Sequence, residues 1–535
     1  MTHAIKILVG DKLSPKGLDY LRGFSDVAVD VKTGLSEDEI AAIIGQYHGL
    51  IVRSGVQVTA KVLANPGSLR AIARAGVGVD NIDLDAATAK GVVVMNSADA
   101  STITTAEHAF TLLMALARNI GPAYKVMSEG GWDRNKFVGR QLAGKTLGIV
   151  GFGRIGHTVA ERALAFGMTV VAFDPVYNAP TALDGQVKLY KDFDAMLADL
   201  DFISFHVPLN DATRNMLNAD RFAKCKKGLM VVNAARGGVI DLPALLAALE
   251  SGQCGGAAID VYEEEPPAKD DPLRKHPKIL CTPHLGASTT EAQEAVSNDA
   301  CAQILEYLRG EGLRGAVNLG GVRFDLDPAQ LRFVDLAQRM AQLVAPTCDA
   351  GIVGLTVTIE GPGLAAAAST IERTSLIELL KPHLDVPVNM VNVKPLADRR
   401  GIKAKTVTIE DNGHTTRITI DVQTGSKTRH IAGTVYADGI PRVLEIDGYH
   451  MDMVPAGPML VIKNEDRPGM VGLIGTEIGN AGLNIADMSL SRRGNNALTV
   501  LKLDTMPKPE LIGTLSARPG LLKFNAVNLP PLKSA

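Results

Sequence analysis

The chain has 535 residues, too many for one compact core, so three or four domains are expected. Hydrophobic residues make up 46% and charged residues 21%, an ordinary globular balance. Lys+Arg 55 against Asp+Glu 58 leaves a net charge of −3, which argues against a strongly basic nucleic-acid face but leaves room for a local patch that takes a phosphorylated metabolite.

The N-terminus, from Met1 to Gly10, runs straight into a strand-like apolar stretch, without the charged head, apolar run and cleavage site of a signal peptide. No apolar run reaches the roughly 18 to 20 residues needed to span a bilayer, so no membrane partner is expected. Five scattered cysteines, 225, 254, 281, 301 and 348, have no paired or metal-type spacing. The expectation is a reducing, cytoplasmic setting and no metal.

From Ile5 to about Asn96, strands buried on both faces are predicted at Ile5–Val9, Leu50–Val52, Ala71–Arg74 and Val92–Met95. Asp80-Asn81 follows a glycine-rich turn and is read as a helix start. Thr105–Arg118 keeps helical spacing through Ala106, Ala109, Phe110, Leu113, Met114 and Ala117, and Leu112 and Leu116 widen its apolar stripe, which predicts burial on more than one side. From Leu147 to about Leu285 strands and helices alternate, the pattern of a parallel doubly wound sheet. A helix after Ser288, reaching Arg309, is expected to return to the first domain, and the glycine-rich 310–321 reads as a linker. Residues 322 to 455 carry strands at Thr406–Glu410 and Arg417–Val422 with one alanine-rich helix, an α+β pattern. From 456 the order is strand (Leu460–Lys463), helix (Met470–Asn480), strand (Ile485–Ser491), strand (Leu498–Leu503), helix after Pro509 and strand (Asn525–Asn528).

Gly151-Phe-Gly-Arg-Ile-Gly156 is a dinucleotide fingerprint in its full context: the strand Leu147–Val150 precedes it, a helix over about His157–Phe166 follows, and Val170–Asp174 is a second strand ending in an acid. The glycines allow a tight turn, close approach of the backbone to a pyrophosphate and close helix packing, and the helix start offers free N–H groups. Asp174 can accept hydrogen bonds from ribose hydroxyls and would repel a 2′-phosphate, which favours NAD over NADP; alternatively it shapes the turn before Pro175.

Three later strand ends hold chemistry-bearing residues: Arg236 in Val231–Gly238, Asp260 and Glu265 in Ala258–Pro266, and His284 in Ile279–Gly286. Oxidising a secondary alcohol needs a base for the hydroxyl proton, a role for histidine with a carboxylate beside it. A guanidinium can grip a substrate carboxylate in a two-pronged contact. Taken singly, Arg236 could instead pair with a structural acid, Glu265 could be a solvated member of its acidic run, and His284 could cap a helix.

These motifs resemble the D-isomer-specific 2-hydroxyacid dehydrogenases over roughly residues 1 to 315. The resemblance implies that Arg236 binds substrate, Glu265 supports the base and His284 is the base. It puts Asp260 near the nicotinamide amide, and it lines the cofactor with Val77, Gly151, Gly153, Arg154, Ile155, Gly156, Asp174, His206, Val207, Pro208, Ala234, Ala235, Arg236, His284 and Gly286. Val52-Arg-Ser54, Arg74–Asp80, Trp132–Phe137 and His284–Ser288 are most similar to the long, regulated members that act on 3-phosphoglycerate. By that resemblance Arg53, Arg74, Arg236 and the backbone at Gly76 and Val77 lie at the substrate, and Arg134 and Lys136 supply phosphate charge unless they are a solvated loop.

Val461–Gly469 and Ala481–Ile485 resemble an ACT domain, an amino-acid-sensing module, with Asn464, Asp466 and Asn484 where an effector would bind. The implied effector is L-serine, and the implied assembly a homotetramer. The expected fold is therefore α/β: a substrate domain (1–98 and 286–315) and an NAD domain (99–285), both Rossmann-like, then an α+β regulatory domain (316–455) and a ferredoxin-like ACT domain (456–535). The expected reaction is NAD-dependent oxidation of 3-phospho-D-glycerate to 3-phosphohydroxypyruvate, the entry to serine synthesis. Two rivals stand beside it: a reductase of the same class acting on another hydroxy acid, and a non-catalytic NAD-sensing regulator on the same fold.

Overall fold

Short apolar runs at the start of the chain build a first sheet from β1 (Ile5–Val9), β2 (Val27–Val31), β3 (Gly49–Val52), β4 (Ala71–Arg74) and β5 (Val93–Asn96), in the order β2-β1-β3-β4-β5. This is a computed structural model, and it describes residues 5–532 apart from 178, 324–325, 349–350, 385 and 410–415. The start of the expected leaderless N-terminus, residues 1–4, thus lies outside the described residues. β1 runs parallel to both β2 and β3, and every residue of β3 is buried, as expected of a strand covered on both faces. β2, VAVDV, is an exposed edge with no buried residue; its alternating valines form too short a run, broken by Asp30, to stand out as a buried strand.

The helix expected at Asp80-Asn81 does not start there. It spans Leu84–Ala89, with Asp83 as its cap accepting from the Ala86 N–H at 2.9 Å. Asn81 instead donates from Nδ2 to the carbonyls of Arg53 and Val56, both at 2.7 Å, tying two loops together. The helix Thr290–Arg309 packs on the helix Pro15–Arg22: the Ser14 N–H donates to Ser297 Oγ at 3.2 Å, and Arg309 pairs with Asp26 at 2.6 Å.

The second sheet contains β6 (Thr146–Val150), β7 (Thr169–Phe173), β8 (Thr181–Ala182), β9 (Val187–Tyr190), β10 (Phe202–Phe205), β11 (Leu229–Asn233), β12 (Cys254–Ile259) and β13 (Ile279–Cys281). Their order is β13-β12-β11-β10-β6-β7-β9-β8, parallel throughout except where β8 meets β9. The chain winds outward from β6 in one direction and from β10 in the other, so a crevice opens at their carboxyl ends. The helix Thr102–Ala117 begins three residues earlier than expected. It buries Ala106, Ala109, Phe110, Leu112, Leu113 and Leu116 in one cluster with Leu147, Ile149, Val232 and Ala258.

Contacts divide the chain into two units, Met1–Gln57 with Ile72–Asn81 and Met95–Arg309, and Val58–Ala71 with Ile82–Val94 and Gly310–Ala535. The second unit carries a six-stranded sheet of β14 (Ile352–Glu360), β15 (Lys403–Ile409), β16 (Arg417–Thr424), β17 (Thr428–Val435), β18 (Pro441–Ile446) and β19 (Tyr449–Met453), in the order β15-β14-β16-β17-β18-β19. Of the expected strand Thr406–Glu410, Glu410 lies outside the described residues. The expectation of one helix here is too low: Pro328–Val344, Ala368–Leu380 and Val393–Arg399 are all helical.

The last sheet is antiparallel, with β20 (Gly457–Glu465), β21 (Ile485–Arg493), β22 (Asn496–Leu503) and β23 (Leu521–Leu529) in the order β21-β22-β20-β23 and helices Met470–Asn480 and Pro509–Ser516. Met459, Val461, Leu498, Val500, Val527 and Leu529 of this sheet join the same buried cluster as Leu336, Met340, Ile420 and Val443, so the two sheets share one core. Arg339, 2% exposed, donates to the carbonyls of Pro455, Pro530 and Pro531 and pairs with Asp335 at 2.6 Å. Among the described residues no helix is long and apolar enough to cross a membrane.

Candidate active site

The glycine-rich turn leaves β6 at the crevice. Gly151 has φ +89, and a side chain there would stand 2.6 Å from the His206 carbonyl, so the β6 and β10 ends touch because neither intrudes. Gly156 faces the Gly151 carbonyl at 2.1 Å from any added Cβ, which seats the helix Arg154–Ala165 against the turn. At Gly153 nothing lies within 4 Å of such an atom, and the residue caps its helix without a side-chain bond, leaving N–H groups free toward open space. A dinucleotide pyrophosphate fits that arrangement.

Asp174 follows β7 and accepts from the N–H groups of Phe152 and Val176, both at 2.9 Å. Both the turn-shaping and the ribose readings of this acid thus fall at one place, beside the glycine turn. Ile155 packs partly buried on the helix core, and Arg154 pairs with Asp99 at the surface. His206 is pushed down to about 4 by burial, and its Nε2 meets Ser204 Oγ at 2.9 Å, so its ring is neutral at physiological pH. Val207 approaches Gly151, Pro208 accepts from Thr213 Oγ1 at 2.6 Å, and Ala234 and Ala235 follow β11, the latter donating to Asn233 Oδ1 at 3.1 Å.

His284 and Glu265 meet directly, Nδ1 to Oε2 at 2.6 Å, with side chains 47% and 35% exposed. The second oxygen of Glu265 accepts from the Tyr262 N–H at 3.1 Å, which fixes the carboxylate plane. Because Nδ1 faces the carboxylate, Nε2 is the ring nitrogen left for a substrate. Asp260 sits differently from an acid that lines an open crevice. Its side chain has no exposed surface and accepts from Thr282 Oγ1 (2.6 Å), the Leu285 N–H (2.8 Å) and the Gly286 N–H (3.0 Å), with His108 Nε2 at 3.1 Å. Burial alone would raise this carboxyl, but the bonds from His108, Thr282 and Leu285 hold it below the usual carboxylate range.

Arg236 leaves the end of β11 on a loop packed against the Glu265 loop, for a Cβ on Gly237 would meet the Tyr262 backbone at 2.1 Å. Its Nε donates to Asp80 Oδ2 at 2.9 Å, its Nη1 to the Ala235 carbonyl at 2.6 Å, and its Nη2 lies over Gly78. Arg74 lies in turn over Gly76, whose φ is +150. Burial pulls the Arg74 guanidinium down to about 10, with repulsion from Arg236 and Arg53 adding to the fall, and its Nε is buried with no hydrogen-bond partner. Three positive side chains therefore converge at one spot, against Asp80 and Asp11. Arg53 is anchored through its N–H to Asp11 at 2.7 Å, and the Val77 carbonyl accepts from Asn96. Such crowding of like charge marks a place suited to an anion with more than one negative group.

Arg134 and Lys136 lie exposed on the loop after the helix Ile120–Ser128, and among the described residues neither side chain is bonded to Arg53, Arg74 or Arg236. Asn464 is buried, accepting from Thr499 Oγ1 at 3.2 Å and donating to the Glu465 carbonyl; Asp466 pairs with Arg492 at 2.9 Å; Asn484 donates to Asp504 at 3.2 Å. The three effector candidates are thus each bonded to a different neighbour. Tyr262, Thr282 and His108 have no assigned role in the sequence reading, and Asp80 appears there only as a helix start. Asp80 was legible only as the last residue of a glycine-rich segment, and the others carried no signal beyond lying near a motif.

Residues 110–286 match the NAD-binding domain of the D-isomer-specific 2-hydroxyacid dehydrogenases, and residues 330–447 match the intervening domain of D-3-phosphoglycerate dehydrogenase. The chain is 38% identical over 530 residues to D-3-phosphoglycerate dehydrogenase of Archaeoglobus fulgidus, covering 98% of this chain and 100% of that one. It is 36% identical over 530 residues to the enzyme of the same name from Bacillus subtilis, covering 98% of this chain and 100% of the other. Among solved structures, a protein of Thermus thermophilus superposes with a TM-score of 0.54 at 33% identity, over 58% of this chain and 99% of its own. D-lactate dehydrogenase of Aquifex aeolicus, solved with NAD and lactic acid, gives 0.51 at 26%, over 57% and 96%.

Proposed function

The chain belongs to the D-3-phosphoglycerate dehydrogenases, a branch of the D-isomer-specific 2-hydroxyacid dehydrogenases, and from that membership we propose how its own residues oxidise 3-phospho-D-glycerate to 3-phosphohydroxypyruvate with NAD. The observation that carries the reading is the His284–Glu265 pair at 2.6 Å beside the Arg236 loop.

Arg236 takes the substrate carboxylate, using the N–H groups that Asp80 and Ala235 leave free. Arg74 and Arg53 hold further negative charge, which favours a phosphorylated acid over an unphosphorylated one. With the hydroxyl set against His284 Nε2, the ring takes the proton and Glu265 stabilises the imidazolium across Nδ1. NAD, when bound along the turn from Gly151 to Gly156 with its ribose at Asp174, supplies the carbon that accepts the hydride. Because oxidation releases a proton, higher pH favours that direction.

The C-terminal unit is read as regulatory. The strand-helix-strand-strand-helix-strand order of 457–529 supports an ACT domain, with Asp466 and Asn484 at strand ends near the surface and L-serine as effector. Ile120, Tyr124, Met127 and Trp132 are each more than half exposed, which supports self-association, read here as a homotetramer. Among the described residues no disulfide joins any of the five cysteines, which supports a cytoplasmic enzyme.

The test is the initial rate of NADH formation from 3-phosphoglycerate and from D-glycerate, each with and without millimolar serine. Turnover that prefers the phosphorylated substrate upholds the reading, and equal turnover on both rejects it. An Arg53→Ala or Arg134→Ala enzyme that loses only the preference places the phosphate at that residue. A rate indifferent to serine, with no serine binding by calorimetry, removes the effector.

A further inference from the structure

We propose that His108, on the helix Thr102–Ala117, is a positioning residue for the catalytic histidine and acts through Asp260. The inference rests on the reading of His284 as the base.

His284 stands at φ +54, in the left-handed region that residues with a Cβ adopt rarely, so something must hold its loop there. Three successive backbone N–H groups answer that need. His284 donates to the Asp260 carbonyl at 2.9 Å, Leu285 to Asp260 Oδ1 at 2.8 Å and Gly286 to Oδ2 at 3.0 Å. The Leu285 and Gly286 amides converge as a small anion nest, and its anion is the side chain of Asp260. The loop keeps its shape only while that carboxylate is ionised and still.

An ionised carboxylate without exposed surface is costly unless paired. Besides Thr282 and the amides, the side chain the structure sets against Asp260 is His108, Nε2 to Oδ1 at 3.1 Å, itself 16% exposed. The same ring lies 3.5 Å from Thr282 Oγ1. Other residues of the same helix face follow the loop: Thr104 Oγ1 meets Thr289 Oγ1 at 3.3 Å, and a Cβ on Gly286 would touch Thr105 at 3.5 Å. The neighbouring acid, Glu107, is paired with Arg162 at 3.0 Å. A rigid helix buried in the core thus sets where Asp260 sits, and Asp260 sets where His284 points toward Glu265.

The experiment compares the full-length His108→Ala, His108→Gln and His284→Ala enzymes. His108→Ala should lower kcat by on the order of tenfold to a hundredfold, the scale of a small misplacement of a reacting group, with KM for 3-phosphoglycerate and NAD unchanged. The acid limb of its kcat/KM profile, which reports the His284 base, should move to lower pH as the pairing with Glu265 loosens. His108→Gln should recover most of the turnover and the limb, because its amide N–H can reach the same oxygen. Unchanged kcat in His108→Ala overturns the inference. So does lost turnover that follows a fall in melting temperature with the acid limb unmoved. A His284→Ala enzyme with normal turnover removes the reading of the site itself, whereas an inactive His284→Ala beside an indifferent His108→Ala removes the present inference alone.

Discussion

Arg236 donates from Nε to Asp80 at 2.9 Å, so the guanidinium assigned to the substrate carboxylate is itself aimed by a carboxylate from another part of the chain. Asp80 also offsets part of the repulsion within the cluster of Arg53, Arg74 and Arg236. Replacing it with alanine should leave Arg236 free to swing. The expected result is a rise of about tenfold in KM for 3-phosphoglycerate, the equivalent of ~1.4 kcal/mol, with less effect on KM for NAD. Asp80→Asn, which can still accept from Nε, should fall between. Steady-state kinetics decides it; an unaltered KM in Asp80→Ala would show that Arg236 is held by Ala235 alone.

His284→Ala should lose roughly 10²- to 10⁴-fold in turnover, the range for a positioned proton acceptor. NAD affinity, read by quenching of protein fluorescence, should persist. Glu265→Gln should show a smaller loss and a base that titrates lower, since its charge no longer favours the imidazolium.

The glycines of the turn from Gly151 to Gly156 should separate folding from binding. Gly156→Ala forces an atom to 2.1 Å from a backbone oxygen and should lower the melting temperature as well as NAD affinity. Gly153→Ala meets nothing within 4 Å and should melt normally, yet weaken NAD by about tenfold or more through the space its methyl takes from the pyrophosphate. Thermal melts alongside NAD titrations would show it.

Arg339→Met should destabilise the second unit. It leaves the buried Pro455 carbonyl, those of Pro530 and Pro531, and Asp335 without their donor, at a cost on the order of 3 kcal/mol. Urea unfolding followed by far-UV circular dichroism should show an earlier transition, with activity of the dehydrogenase site less affected.

His430 is raised above its usual value, chiefly by its hydrogen bond to Asp421 and against the opposing effect of burial, with Glu445 adding to the rise and Arg417 opposing it. A group with a raised folded-state pKa contributes stability that is complete below its unfolded pKa, about 6.5, and lost as pH rises through the folded value. The unfolding free energy of the wild type should therefore fall on going from pH 6 to pH 9 by more than that of His430→Gln. Equal slopes would exclude the pair from any pH response.

What could be read from the residues alone was whatever their chemistry makes local. Gly151 and Gly156 must be glycines for reasons contained in one turn, and the βαβ context around them is contiguous. The pairing of His284 with Glu265 followed from matching short motifs residue by residue, while Asp80 reaches Arg236 across 156 positions and leaves no trace in either segment. The helix Pro328–Val344 did carry a local signal, a reciprocal Asp327–Gln330 cap with proline at its start, which the richer apolar runs around it obscured. The strand Val27–Val31 carried only a short one, alternate valines on an exposed edge. The shape of the Asp260 nest depends on a backbone angle at His284 that no composition announces.

The common core beneath the two C-terminal sheets bears on how such enzymes could exchange their C-terminal domains. Because Val461, Val500 and Val527 are packed with Leu336 and Ile420, a graft of the final eighty-odd positions onto another enzyme would carry a greasy wound and leave its mate behind. Recombination would have to move both layers together, from the Asp327 cap onward, so inheritance of the C-terminal half should be all or nothing.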